Sequence, residues 1–212
     1  MIKIAEGIYA LSPDEVENYY STYYDANDKG HGRYHVQAVS DRMAELVGAQ
    51  GYKDTQLADI AALTHDVGIS SGRDAHEIHG SEIVAADPLL QQKLSMRRMR
   101  LLVNAVRQHR ASTGKPRSML GKLLSDADRL SGATAGDRLR RAYEYGKVHI
   151  PDLDDEQQLL RAAEHVSGKY GPGGYGIKAT YFPDTHKQLS NAVQPIIQAH
   201  ESKDLKALKD LL

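Results

Sequence analysis

The sequence has no cysteine, so disulfides, thiolate metal sites and cysteine nucleophiles are all excluded. It has no run of about 18 apolar residues of the kind that spans a bilayer. Its start, Met1-Ile2-Lys3-Ile4-Ala5-Glu6, lacks the apolar core of a signal peptide, and together with the missing cysteines this gives a cytoplasmic, non-membrane expectation. Charge is almost balanced, with 27 basic and 28 acidic residues and a net charge of -1. No global field therefore recruits nucleic acid or an anionic membrane. Persuasive period-two patterning is also missing. Residues 177–182 are the one strand candidate, and no internal repeat is present. What remains is an all-α reading for 212 residues, long enough for a sizeable core.

Helix signals recur along the chain. Ser12-Pro13-Asp14-Glu15 reads as a capped start, and Val16, Tyr19, Tyr20 and Tyr23 keep a helical apolar spacing. A turn is expected over Asp25-Ala26-Asn27-Asp28. A second helix follows with Val36, Val39, Met43, Leu46 and Val47 as its buried stripe, ending between Gly48 and Gly51. Asp54 and Thr55 open a third, which delivers Ala61-Ala62-Leu63-Thr64-His65-Asp66-Val67-Gly68. Further helices are expected from about Asp74 to Pro88, after Ser95, over 119–130, 132–145, 154–166, 183–199 and 203–211. The stretch 168–176 reads as a glycine-rich connection, without the ending of a nucleotide-binding P-loop.

Histidine is abundant, with ten in the chain. Adjacent residues on a helix point about 100° apart, so His65 and Asp66 can share one cation only if their helix ends there, and Gly68 fits such an ending. Imidazole and carboxylate suit a divalent first-row metal. His35, His76 or His79, His109 and Asp128 fall at helix ends or on apolar helices. Buried groups of these kinds are costly without a partner, and a shared cation supplies one.

This ordered pattern resembles the HD-domain superfamily of metal-dependent phosphohydrolases over roughly residues 30–145. The resemblance matches His35, His65, Asp66 and Asp128 to the metal ligands of that family, and His76 and His109 to the two extra histidines of its bimetallic members. His76 is favoured over His79 because His76-Glu77-Ile78-His79-Gly80-Ser81 is similar to the family segment. Ser125-Asp126-Ala127-Asp128-Arg129-Leu130 is similar to its closing segment. The segment His31-Gly32-Arg33-Tyr34-His35 looks most like small bacterial nucleotide pyrophosphohydrolases of the superfamily.

The resemblance implies an HD helical bundle over 1–150 with a helical C-terminal extension over 151–212. It implies one or two divalent ions (Mn, Mg, Ni or Fe) and a phosphoester or phosphoanhydride of a small metabolite, a nucleotide, as substrate. Asp66, His31, His79 and Arg129 are the catalytic candidates, with His31 or His79 as proton donor. Arg73, Lys115, Arg117 and Arg129 are the candidates for phosphate contact, and Arg129 has a salt bridge to acidic neighbours as its alternative. A di-iron oxygenase acting on a small polar or phosphonate substrate is the competing enzyme class. Balanced charge and the tyrosine-rich first helix are compatible with a homodimer.

Overall fold

The computed structural model describes residues 13–27, 30–132 and 134–212. The expected cap at Ser12 and part of the turn at Asp28 lie outside these residues. Among the described residues every regular element is helical. The chain divides into two compact units between Ser131 and Gly132.

The first unit contains α1 (Pro13–Ala26), α2 (Arg33–Gln50), α3 (Thr55–Thr64), a 3-10 turn (Ile69–Ser71), α4 (His76–Ala86), α5 (Pro88–Lys93), α6 (Met96–Gln108) and α7 (Met119–Leu130). Short polar side chains set the starts. Asp54, Asp87, Ser95 and Ser118 accept hydrogen bonds from the backbone N–H of Leu57, Leu90, Arg98 and Gly121. Gly51 ends α2 with φ 61, a left-handed conformation that suits glycine. Helix α5 goes beyond the sequence expectation. It is one short turn-and-a-half, but Asp87 capping Pro88 is a legible start.

Helix α3 is the centre of this unit. Its apolar residues Leu57, Ala58, Ile60, Ala61 and Ala62 are fully buried, and it packs against α1, α2, α6 and α7. A helix this apolar must be enclosed on most of its sides; only Thr55, Gln56 and Asp59 reach towards solvent, and the helix carries the His-Asp pair at its C-terminal end. Met43, Leu102, Leu120, Leu123 and Leu124 close the core around it. Truncating any one of these leucines to alanine costs about 2–5 kcal/mol.

The second unit contains α8 (Ala135–His149), α9 (Asp155–Tyr170), α10 (Tyr175–Lys178), α11 (Pro183–Glu201) and α12 (Leu205–Leu211). Capping boxes start α8 at Thr134 and α9 at Asp154. Leu139, Leu159, Ala162, Ala163, Leu189, Val193 and Ile196 form its core. Helix α8 packs on α9, so the boundary lies one helix earlier than the expected division at 150. Two local expectations differ. Helix α9 runs on through Gly168 to Tyr170, leaving only 171–174 as the glycine-rich connection. The strand candidate at 177–182 is instead a helical turn and the approach to α11.

Candidate metal centre

Helix α3 stops at Thr64, and His65 is its C-terminal cap. That ending lets two adjacent side chains reach one point. Val67, Ile69 and Ser71 continue the turn with backbone bonds to Thr64, Asp66 and Gly68. The ending is anchored from outside. The Tyr24 hydroxyl donates to the Leu63 carbonyl at 2.6 Å, and the Asn27 amide donates to the carbonyls of Asp66 and His31.

Asp66 is 4 % exposed, and four imidazoles face its two oxygens. His35 Nε2 and His65 Nε2 lie 3.3 Å and 3.2 Å from Oδ2. His76 Nε2 and His109 Nε2 lie 3.4 Å and 3.5 Å from Oδ1. Two donor groups result, His35-His65-Asp66 and Asp66-His76-His109, joined at the carboxylate. Asp128 meets the first through His35, with Oδ1 3.4 Å from Nε2. All six residues matched to the family's ligands therefore come together.

The ring nitrogens are sorted. Nδ1 of His65, His76 and His109 faces the backbone carbonyl three residues back, Ala62, Arg73 and Val106, at 2.7, 3.0 and 2.7 Å. A carbonyl only accepts, so each Nδ1 carries the proton and donates. In the neutral rings every Nε2 then turns a lone pair towards Asp66.

These donors fit a divalent cation. His65 Nε2 and His35 Nε2 are 3.2 Å apart. Two lone pairs that close repel unless a proton or a cation sits between them. Ligands about 2.1 Å from a shared ion are themselves ~3.0–3.4 Å apart, which is the spacing seen here. The titration directions agree. Burial raises the Asp66 carboxyl, but the imidazoles, His65 foremost, overcome it and hold it well below the usual carboxylate range. Asp128 is likewise depressed, its burial outweighed by the hydrogen bond with His35. Burial lowers His35 and His65, yet their carboxylate neighbours win and raise both. Burial lowers His76, and the nearby carboxylates only partly offset it.

The remaining candidates are placed differently. The His31 ring stacks edge-on to His35 with centroids 5.6 Å apart, at the margin of the first group. His79, one turn past His76, belongs to neither donor group, and its Nδ1 is buried without a hydrogen-bond partner among the described residues. Arg129 is at odds with direct phosphate contact, because its side chain is only 2 % exposed. It pairs with Asp126 at 3.6 Å and donates to Ser125, whose hydroxyl donates to the His109 carbonyl. Arg129 thus braces the backbone behind His109. The sequence reading gave no role to Asn27, Ser125 and Ser131, since short polar residues at a helix end, like Asn27 and Ser131, or inside a helix, like Ser125 in α7, carry no distinctive sequence signal.

An all-helical unit that rings one buried carboxylate with four imidazoles has the make-up of a histidine–aspartate metal-binding domain. Residues 33–133 match the HD domain family. Such a domain implies a bound divalent metal. The chain is 29% identical over 168 residues to a protein of Lawsonia intracellularis named Ribonuclease Y, an overlap of 77% of this chain and 29% of that protein. It is 27% identical over 190 residues to Ribonuclease Y of Listeria welshimeri, covering 87% and 34% of the two chains. It is 26% identical over 188 residues to that of Bacillus thuringiensis, covering 86% and 33%. The chain spans about a third of the length of these curated relatives. No solved structure matches it. No helix among the described residues is long and apolar enough to cross a membrane.

Proposed function

We propose that the protein is a metal-dependent phosphohydrolase that cleaves a phosphoester or phosphoanhydride bond of a nucleotide. The supporting observation is the convergence of four Nε2 atoms on the two oxygens of Asp66. His35, His65, Asp66 and Asp128 would hold one ion, and Asp66, His76 and His109 a second. A divalent cation at such a site polarises a phosphoryl oxygen and makes a coordinated water acidic at neutral pH.

The chain's own groups do the rest. Asp66 and Asp128, both held ionised, supply the negative charge that retains a cation. The Nδ1 hydrogen bonds fix the imidazoles before any ligand arrives, so little reorganisation is needed. His31, beside His35 at the margin, is the proton donor for the leaving oxygen.

A second reading takes RNA as the substrate, and the relatives named Ribonuclease Y favour it. The balanced charge favours a small nucleotide instead, because gripping an RNA backbone draws on a basic surface. Both readings share one chemistry, hydrolysis at phosphorus, and the relatives' name sets both above a di-iron oxygenase.

The test is a screen with Mn(II) present, using nucleoside mono-, di- and triphosphates and a short RNA, reading phosphate, pyrophosphate or shortened oligonucleotide. Asp66→Ala is the control. Nucleotide cleavage that disappears in this variant supports the proposal. RNA cleavage alone moves the second reading to first place. Oxygen consumption with two tightly held irons and no hydrolysis overturns both.

A further inference from the structure

His35 differs from the other three imidazoles in how its outer nitrogen is held. His65, His76 and His109 each donate Nδ1–H to the carbonyl three residues back. His35 stands at the start of α2, where the carbonyl three residues back, that of Gly32, already accepts from the backbone N–H of His35 and Val36 at 2.9 Å and 3.2 Å. Its Nδ1 instead faces Ser131 Oγ at 3.3 Å, a residue 96 positions later at the end of α7.

The direction of that contact follows from proton counting. A serine hydroxyl has one proton to give. Ser131 gives it to the Asp128 carbonyl at 2.6 Å. The oxygen therefore meets His35 with a lone pair, and the proton between them belongs to Nδ1. That leaves Nε2 of the neutral ring as a lone-pair donor aimed at Asp66 and His65.

We infer that Ser131 is a positioning residue of the metal centre: it selects the His35 tautomer that presents Nε2 to the ion, and it ties that ring to the backbone of the ligand Asp128. The inference rests on the reading of this cluster as a metal centre. Ser131 hydrogen-bonds to no other site imidazole among the described residues, so its effect falls first on the ion held by His35. Removing a group that orients a ligating histidine weakens metal binding about 10–100-fold.

The experiment is a Mn(II) titration of the full chain, followed by the EPR signal of free ion, for wild type, Ser131→Ala, Ser131→Thr and Asp66→Ala. Ser131→Ala is expected to weaken at least one Mn(II) by about 10–100-fold. Ser131→Thr, which keeps the hydroxyl, restores wild-type affinity. The metal-free protein stays folded in both, and its melting temperature falls in Ser131→Ala only by the small loss that one part-buried hydrogen bond to the Asp128 carbonyl brings. Wild-type affinity in Ser131→Ala beside lost binding in Asp66→Ala overturns the inference alone. So does a loss that threonine does not restore, or a metal-free Ser131→Ala protein that is no longer folded at the temperature of the titration. Undiminished binding in Asp66→Ala removes the metal centre itself, and the inference with it.

Discussion

Gly68 lies with its backbone against that of Gly80, and a Cβ on Gly68 would collide with the Gly80 amide nitrogen and the His76 carbonyl oxygen. Gly68 has φ -79, so its role is space rather than left-handed backbone. The reverse case is milder, since a Cβ on Gly80 would meet Gly68 N and Val106 Cγ1 at 3.3 Å. Gly68→Ala is therefore expected to destabilise the protein by about 1–3 kcal/mol or more, the cost of overpacking. Gly80→Ala should cost clearly less. Urea unfolding of the two variants makes the comparison, and equal midpoints contradict the close approach. Because the same contact brings α4 against the His65-Asp66 turn, Gly68→Ala should also weaken metal binding.

Tyr24 is buried, and its hydroxyl donates to the carbonyl of Leu63, two residues before His65. Tyr24→Phe leaves that carbonyl without this donor. The expected loss is about 1 kcal/mol, within the range for one neutral hydrogen bond plus an unsatisfied buried acceptor. Thermal melts of wild type and variant measure it, and an unchanged melting temperature argues that water replaces the hydroxyl.

Ala75 precedes His76 with φ 61, a left-handed conformation that costs a residue with a Cβ roughly 1–2 kcal/mol. Ala75→Gly relieves it and is expected to stabilise the chain by up to about 1 kcal/mol after the larger entropy of an unfolded glycine is counted. A lowered midpoint in urea would show that the strain is not there.

His76 and His79 separate the alternatives left by the sequence. His76→Ala removes an Nε2 that faces Asp66, and it should abolish or sharply weaken one bound ion. His79→Ala should leave Mn(II) stoichiometry unchanged, since His79 stands outside both donor groups. Metal analysis after dialysis reads both, and loss of an ion in the His79 variant reverses the assignment.

Metal and protons compete for the first donor group. His35 and His65 are raised above the ordinary 6.5, so both keep protons to higher pH than a free imidazole. A cation must displace them. Affinity for Mn(II) is therefore expected to rise with pH through and beyond 6.5, with proton release measurable by calorimetry in buffers of different ionisation heat. The metal-free protein has the opposite slope from these two groups. A raised folded value contributes stability that is complete below the unfolded value and fades as pH climbs through the folded one. Its melting temperature should thus decline above about pH 6.5, and saturating Mn(II) should reverse that decline. Binding that is indifferent to pH contradicts the imidazole ligands.

Much of this was legible before any coordinates. Asp54 and Ser95 announce their helices because a short side-chain acceptor ahead of an apolar run has one good use. The ending of α3 at His65 follows from two ligands being adjacent. The end of α9 was not legible, because Gly168 inside its last turn reads locally as a break while packing of Leu159, Ala162 and Val166 carries the helix past it. The burial of Arg129 was equally open, since the same sequence serves a phosphate contact or a brace to Asp126. Ser131 was invisible, as its link to His35 spans 96 positions.

The carbonyls that receive Nδ1–H from His65 and His109 belong to the last turns of α3 and α6, which have no helical partner of their own. Each such helix ending is thereby a measuring stick. Extending either helix by one residue would swing its imidazole about 100° around the axis and carry it about 1.5 Å along. Insertions in the intervening loops leave that phase intact. The tolerance of this centre to evolutionary change is thus expected to be generous in loop length and strict in helix length, a pattern that a library of single-residue insertions through residues 55–119 can read directly.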